Sequence, residues 1–284
     1  MRNDLIAVGI LFIGSAALVM LAIEGGYRLG RFIHARSADE KESPVGAIAG
    51  SVLGLVAFML AFTFGMVAER YDTRKGLVRE EANAIRTAWQ RSDFLPEPDR
   101  QEAAFLLHEY VNSRLQAVIS VQTGKASLEE SGTVLLADAD RIQKRLWEMA
   151  VANARKDMNS DVAALYLEAL NEVIEIHASR AAVGMQQRIP MPIWAVLCGL
   201  TVCGMALVGY QTGIAASKRS GARPFLAISF SMVVALIASL DRPDSFLKVP
   251  QRPLMDLHEA MNLASGKEKA SSPELPQTPA PDNN

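Results

Sequence analysis

Four long apolar runs divide this chain of 284 residues: Leu5–Ile23, Val45–Ala68, Pro192–Ile214 and Phe225–Leu240. The first three reach about 20 residues, the length of helix that crosses a ~30 Å hydrocarbon core. The fourth is shorter. Pro224 suits its first turn, where a missing N–H costs nothing, and Arg223 is expected to snorkel from there toward lipid head groups. Four membrane spans are predicted. The first is read as a retained anchor, because its apolar stretch outruns a secretory signal and meets Glu24-Gly25-Gly26 without a small-residue cleavage site.

The second run continues past the membrane. No proline interrupts a helical reading from Val45 to Arg91, and at 1.5 Å per residue such a rod is roughly 70 Å long. Its second half, from Glu69, is charged outside and apolar along one stripe. Pro96-Glu97-Pro98-Asp99 then makes a turn. A helix follows from about Arg100 to Val121, with Ala103, Leu107, Tyr110 or Val111, Arg114 and Val118 on one side, and Gly124 closes it. Ser127 to Glu130 has capping-box spacing and opens a helix to about Lys156, whose first turns Gly132 weakens. Asn159 or Ser160 caps the last helix, which presents Val162, Leu165, Ala169, Val173 and Ile176 and runs toward Arg188. Pro190 and Pro192 mark the return to the membrane.

No strand-like alternation competes with these helices, so the predicted fold is all-α: four transmembrane helices with a helical bundle inserted between the second and third. The expected divisions are 1–68, 69–189, 190–241, a short post-membrane segment 242–264, and a tail 265–284. The tail holds Pro273, Pro276, Pro279 and Pro281 among polar residues and is expected to be disordered. Charge adds little. The net value is −2, and basic residues flank the spans on both sides, so the positive-inside rule does not choose an orientation.

Catalytic chemistry is sparse. His34, His108, His177 and His258 fall in four different segments, with no H-E-x-x-H, P-loop, G-x-G-x-x-G or G-x-S-x-G. Cys198 and Cys203, five apart in the third span, read as buried small hydrophobes. No enzyme activity, metal, cofactor or nucleic-acid partner is expected.

The second span carries two stripes. Gly46, Gly50 and Gly54 form a small-xxx-small ladder that Ala57, Ala61, Gly65 and Ala68 continue. Such ladders let backbones approach closely, either within one protomer or in a crowded assembly about an axis. Beside it, Phe58, Phe62 and Met66 stand on successive turns, with Glu69 next and Phe64 elsewhere on the helix. Facing lipid they are ordinary span residues. Facing an axis they make stacked apolar rings that close by dewetting, and aromatic edges tolerate a passing anion. Charge then enters only at the mouth, at Glu69, Arg70, Tyr71, Asp72, Arg74 and Lys75.

Leu60 to Arg74, with its apolar neck followed by Arg70-Tyr71-Asp72, resembles the pore-helix exit of bacterial bestrophins. It resembles more closely the bestrophin-like bacterial membrane family. Arg70-Tyr71-Asp72, Glu80 to Ile85, Trp89 and Arg91 match that family's central block; Leu170-Asn171-Glu172-Val173 with Arg180 matches a second, and Leu240-Asp241-Arg242-Pro243 through Pro253-Leu254 a third. Anchored on Tyr71-Asp72, the neck positions are Ala57, Ala61 and Gly65, one step from the phenylalanines. The resemblance implies a homopentamer in the inner membrane, second spans around the axis, and termini and bundle in the cytoplasm. It also implies conduction of ions, chiefly anions such as chloride in animal members and cations in some bacterial ones. The alternative function is a non-conducting scaffold or sensor whose bundle binds a partner. A transporter would need midplane polar sites, for which Thr201, Ser229 and Ser231 are the candidates in the later spans.

Overall fold

A computed structural model describes residues 2–36, 42–123, 128–186, 189–215, 221–241 and 249–271. Among them are eight α-helices and no strand. In chain order they are α1 (Arg2–Arg36), α2 (Glu42–Arg91), α3 (Asp99–Thr123), α4 (Leu128–Ala154), α5 (Asp161–Gln186), α6 (Met191–Ile214), α7 (Arg223–Asp241) and α8 (Arg252–Ser271). Four are long and apolar enough to cross a membrane, and they coincide with the four expected spans. Proline stands in the first turn of α2, α6, α7 and α8 (Pro44, Pro192, Pro224, Pro253), where its fixed φ favours the helix and its lost donor would be unpaired anyway. The rod α2 is one unbroken helix of 50 residues. The chain forms two compact units, one of residues 1–76 with 180–249 and one of residues 77–179 with 250–284.

The membrane unit is built on a close crossing of α1 and α6. A methyl group at Gly26 would overlap the Ala206 carbonyl, and one at Gly30 would overlap that of Tyr210; one at Gly209 would overlap the Ile23 carbonyl, and one at Gly213 that of Tyr27. Two glycine pairs, one on each helix, therefore let the backbones touch. α1 accordingly continues as helix through Gly25-Gly26 to Arg36, well beyond the apolar run. Val19, Ile23, Met205 and Ala227 bury beside this crossing, with Leu53 of α2 and Phe230 of α7 packed on them. A second cluster joins Val67, Ile189 and Ile237.

Two expectations change here. Arg223 turns inward rather than snorkelling: Nη1 is 3.3 Å from Glu24 Oε2 and the guanidinium lies 4.6 Å from the Tyr27 ring centroid. A paired, ring-stacked guanidinium has less to gain from reaching water. Cys198 and Cys203 are exposed, not buried. The fully buried positions of α6 are taken by Leu197, Thr201, Gly204, Met205 and Gly209, and neither cysteine is among them.

The second unit combines the last turns of α2 with α3, α4, α5 and α8. α3 buries Ala103, Leu107, Tyr110, Val111 and Arg114 of the predicted stripe, while Val118 is half-buried. It runs antiparallel to α4, as the ladder Asp99–Asn153, Glu102–Arg145 and Glu109–Arg141 requires. Ser160 caps α5, its Oγ accepting from the Ala163 N–H at 3.2 Å. The capping box at Ser127 lies outside the described residues. The α5 face is rotated from the expected one: Val162 and Leu165 are exposed, while Tyr166, Ala169, Leu170, Val173 and His177 are buried. α8 buries Leu254, Leu257 and Met261 and continues as helix to Ser271, past the point where the tail was expected to begin.

Candidate functional site

Within the membrane, α2 has two unlike faces. Val45, Ala49, Val56, Thr63 and Val67 are buried against the rest of the unit. Thr63 keeps its hydroxyl satisfied on its own helix, donating to the Met59 carbonyl at 2.7 Å. The opposite face is open within the chain. Gly50, Gly54, Ala57, Phe58, Ala61, Phe62 and Gly65 all lie on it exposed, with Phe58 and Phe62 at 64% and 55% exposure. Their rings are stacked, centroids 6.5 Å apart. A Cβ at Gly50, Gly54 or Gly65 would meet nothing, whereas Gly46 faces the Gln211 side chain. The ladder is thus not a packing seam within the protomer beyond Gly46. Met66 is half-buried at the edge of the open face.

The expected mouth residues divide between the two faces. Glu69 and Asp72 stay exposed, continuing the open face into the next turn. Arg70 and Arg74 turn the other way. Arg74 Nη2 donates to the Leu240 carbonyl at 2.5 Å, satisfying the C-terminal end of α7. Arg70 Nη1 stands 3.7 Å from Asp241 Oδ1, and the same oxygen accepts the Ile189 N–H at 2.9 Å. Asp241 thereby ties the chain entering α6 to the end of α7. Tyr71 is half-buried.

The second unit holds a polar core that residue-type patterning did not single out. Glu81, 0% exposed, pairs with Arg114: Arg114 Nε donates to Glu81 Oε1 at 2.8 Å and Nη2 donates to the same oxygen. The Tyr110 hydroxyl donates to that oxygen at 3.2 Å and is 3.1 Å from His177 Nδ1. Burial opposes the charge on Arg114, but Glu81 and Tyr110 together hold its pKa above the ordinary arginine value. A signal was available: an arginine one turn after Tyr110 on an otherwise apolar stripe demands a buried counter-charge. Among the described residues no three His, Cys, Asp or Glu side chains are grouped to hold a metal ion.

Fold and span pattern together define a multi-pass, all-α membrane protein with a second, helical unit. The chain belongs to the Bestrophin-like domain family, whose model matches residues 16–244. Its fold is similar to that of a mutant bacterial Bestrophin homolog from Klebsiella pneumoniae, with a TM-score of 0.62 at 14% identity, covering 92% of this chain and 99% of that one. A second mutant of that homolog gives 0.59 at 13% identity, with coverage of 92% and 99%. A further structure, described as a membrane protein, gives 0.62 at 13% identity with the same coverage. No curated protein matches this chain in sequence.

Proposed function

We propose that this protein is an oligomeric ion channel of the inner membrane, in which copies of α2 turn their open faces to a shared axis. The observation that carries this reading is the asymmetry of α2. It buries one face in its own chain and leaves the small-residue face, with stacked Phe58 and Phe62, uncovered from Gly50 to Gly65. Small residues at Ala57, Ala61 and Gly65 permit close approach of neighbouring copies. The phenylalanines beside them supply an apolar throat that resists wetting. Five subunits, with bundle and termini in the cytoplasm, are what the bestrophin likeness implies. That likeness also favours conduction, of anions such as chloride, over catalysis. The apolar stretch itself carries no charge, so it sets width and wetting; Glu69 and Asp72 bear on which ion enters.

Recording of the purified full-length protein in planar bilayers tests the reading. Conductance is expected, and Phe62→Ala is expected to raise it or its open probability by widening the throat. A well-folded oligomer that passes no current in any salt would end the channel reading and leave the anchored scaffold.

A further inference from the structure

One edge of the second unit brings together two histidines from distant parts of the chain. His108 on α3 and His258 on α8 stack with ring centroids 4.9 Å apart and planes 22° from parallel. Asn262, one turn beyond His258, lies against both. Its Oδ1 is 2.9 Å from His108 Nε2, and its Nδ2 is 3.2 Å from His258 Nδ1. Oδ1 only accepts and Nδ2 only donates, so one ring contributes an N–H and the other a lone pair. Turning the amide over exchanges the two roles and changes nothing else.

One amide therefore satisfies the pair when both rings are neutral or when one extra proton is present. With two extra protons, both rings present N–H groups to a single carbonyl oxygen. Two positive rings would also face each other at the 4.9 Å separation. At an effective dielectric of ~20–80, repulsion at such a distance weakens binding of the second proton by roughly fourfold to a few hundredfold. We infer that His108, His258 and Asn262 form a proton-binding site that holds one proton, and that a second proton releases the end of α8 from α3.

Among the described side chains, no nearby carboxylate is placed to absorb the second charge. One turn either side of His108 stand Ala104, Phe105, Val111 and Asn112, all uncharged. Around His258 the corresponding positions are Leu254, Met255, Met261 and Asn262. The charged groups of the adjoining cleft, about 700 Å³ in volume, are Asp93 and Arg100. These pair with each other at 3.7 Å, and Arg100 also binds Glu97. Glu109, beside His108 in sequence, is held by Arg141, and Asp256 and Glu259 of α8 are exposed. Burial and the neighbouring His108 together hold His258 below the ordinary histidine value. Leu254, Leu257 and Met261 anchor the first turns of α8, so release is confined to the turns beyond Met261.

The test uses the full-length protein in nanodiscs with histidine labelled by ¹³C at Cε1. Its four signals are assigned by His34→Gln, His108→Gln, His177→Gln and His258→Gln. His258 is expected to titrate below the ordinary value of ~6.5, and His108→Gln to return it toward that value. Amide exchange beyond Met261, corrected for intrinsic pH dependence, should quicken about threefold or more between about pH 7.5 and about pH 5, with turns 252–257 as internal control. Asn262→Asp supplies a carboxylate that accepts from both rings, so it should raise the His258 value and keep α8 ordered in acid. An ordinary titration of His258 in the native protein overturns the inference. So does indifference of His258 to loss of His108, or α8 exchange that is the same in native protein and Asn262→Asp.

Discussion

In the buried Glu81–Arg114 pair, removing one partner leaves the other charge unpaired out of water. Both groups are out of water and share a single carboxylate oxygen with Tyr110. Glu81→Gln leaves an uncompensated guanidinium in the core and is expected to destabilise the fold by about 3–5 kcal/mol in chemical denaturation. Tyr110→Phe removes one neutral donor and should cost about 1 kcal/mol. Tyr166 behaves oppositely. Its ring is buried, its hydroxyl has no hydrogen-bond partner among the described residues, and burial pushes the phenol above its ordinary value. Tyr166→Phe should therefore raise stability, by up to about 1 kcal/mol, in the same assay. For His258 the folded value is depressed, so the unfolded chain takes up the proton first as pH falls. Its contribution is complete above the unfolded value of ~6.5 and is lost progressively below it. Melting temperatures measured across that range should show a slope that His258→Gln reduces.

At the scale of elements, glycine means different things in different helices. Gly26 and Gly209 meet backbone carbonyls across the α1–α6 crossing, which cannot yield as a flexible side chain would. Gly26→Ala or Gly209→Ala is expected to lower stability by more than about 1–3 kcal/mol, read as loss of monodisperse protein on heating. Gly54→Ala, facing open space within the chain, should leave the protomer's own melting unchanged. The spacing of the α2 ladder fits packing within the protomer as well as packing in an assembly, because spacing reports which residues share a face and not what that face meets. The same limit explains α5. Apolar spacing favoured Val162 and Leu165, but the buried stripe includes Tyr166 and His177, polar-tipped residues. His177 belongs to the α3–α2 polar core, through the Tyr110 hydroxyl. The α8 helix was legible in hindsight, since Leu254, Leu257 and Met261 follow Pro253 at helical spacing.

At the scale of the whole molecule, the proposed assembly rests on the open face of α2. With Cys198→Ser and Cys203→Ser removing the exposed native thiols, single cysteines at Gly54, Ala57 or Ala61 are expected to cross-link neighbouring chains. Cysteines at buried Val56 or Thr63 are not. Cross-linking that never exceeds background along the open face would exclude an α2-lined axis. The membrane spans, the unbroken rod and the all-helical class followed from the sequence by itself. Run length, helical period and proline position are local properties that a bilayer or a hydrogen-bonded backbone reads directly. Tertiary structure alone decided which glycines touch, which way Arg70, Arg74 and Arg223 turn, and that Glu81 meets Arg114 or His108 meets His258. Those outcomes depend on partners far away in the chain, and no local spacing encodes the distance between them.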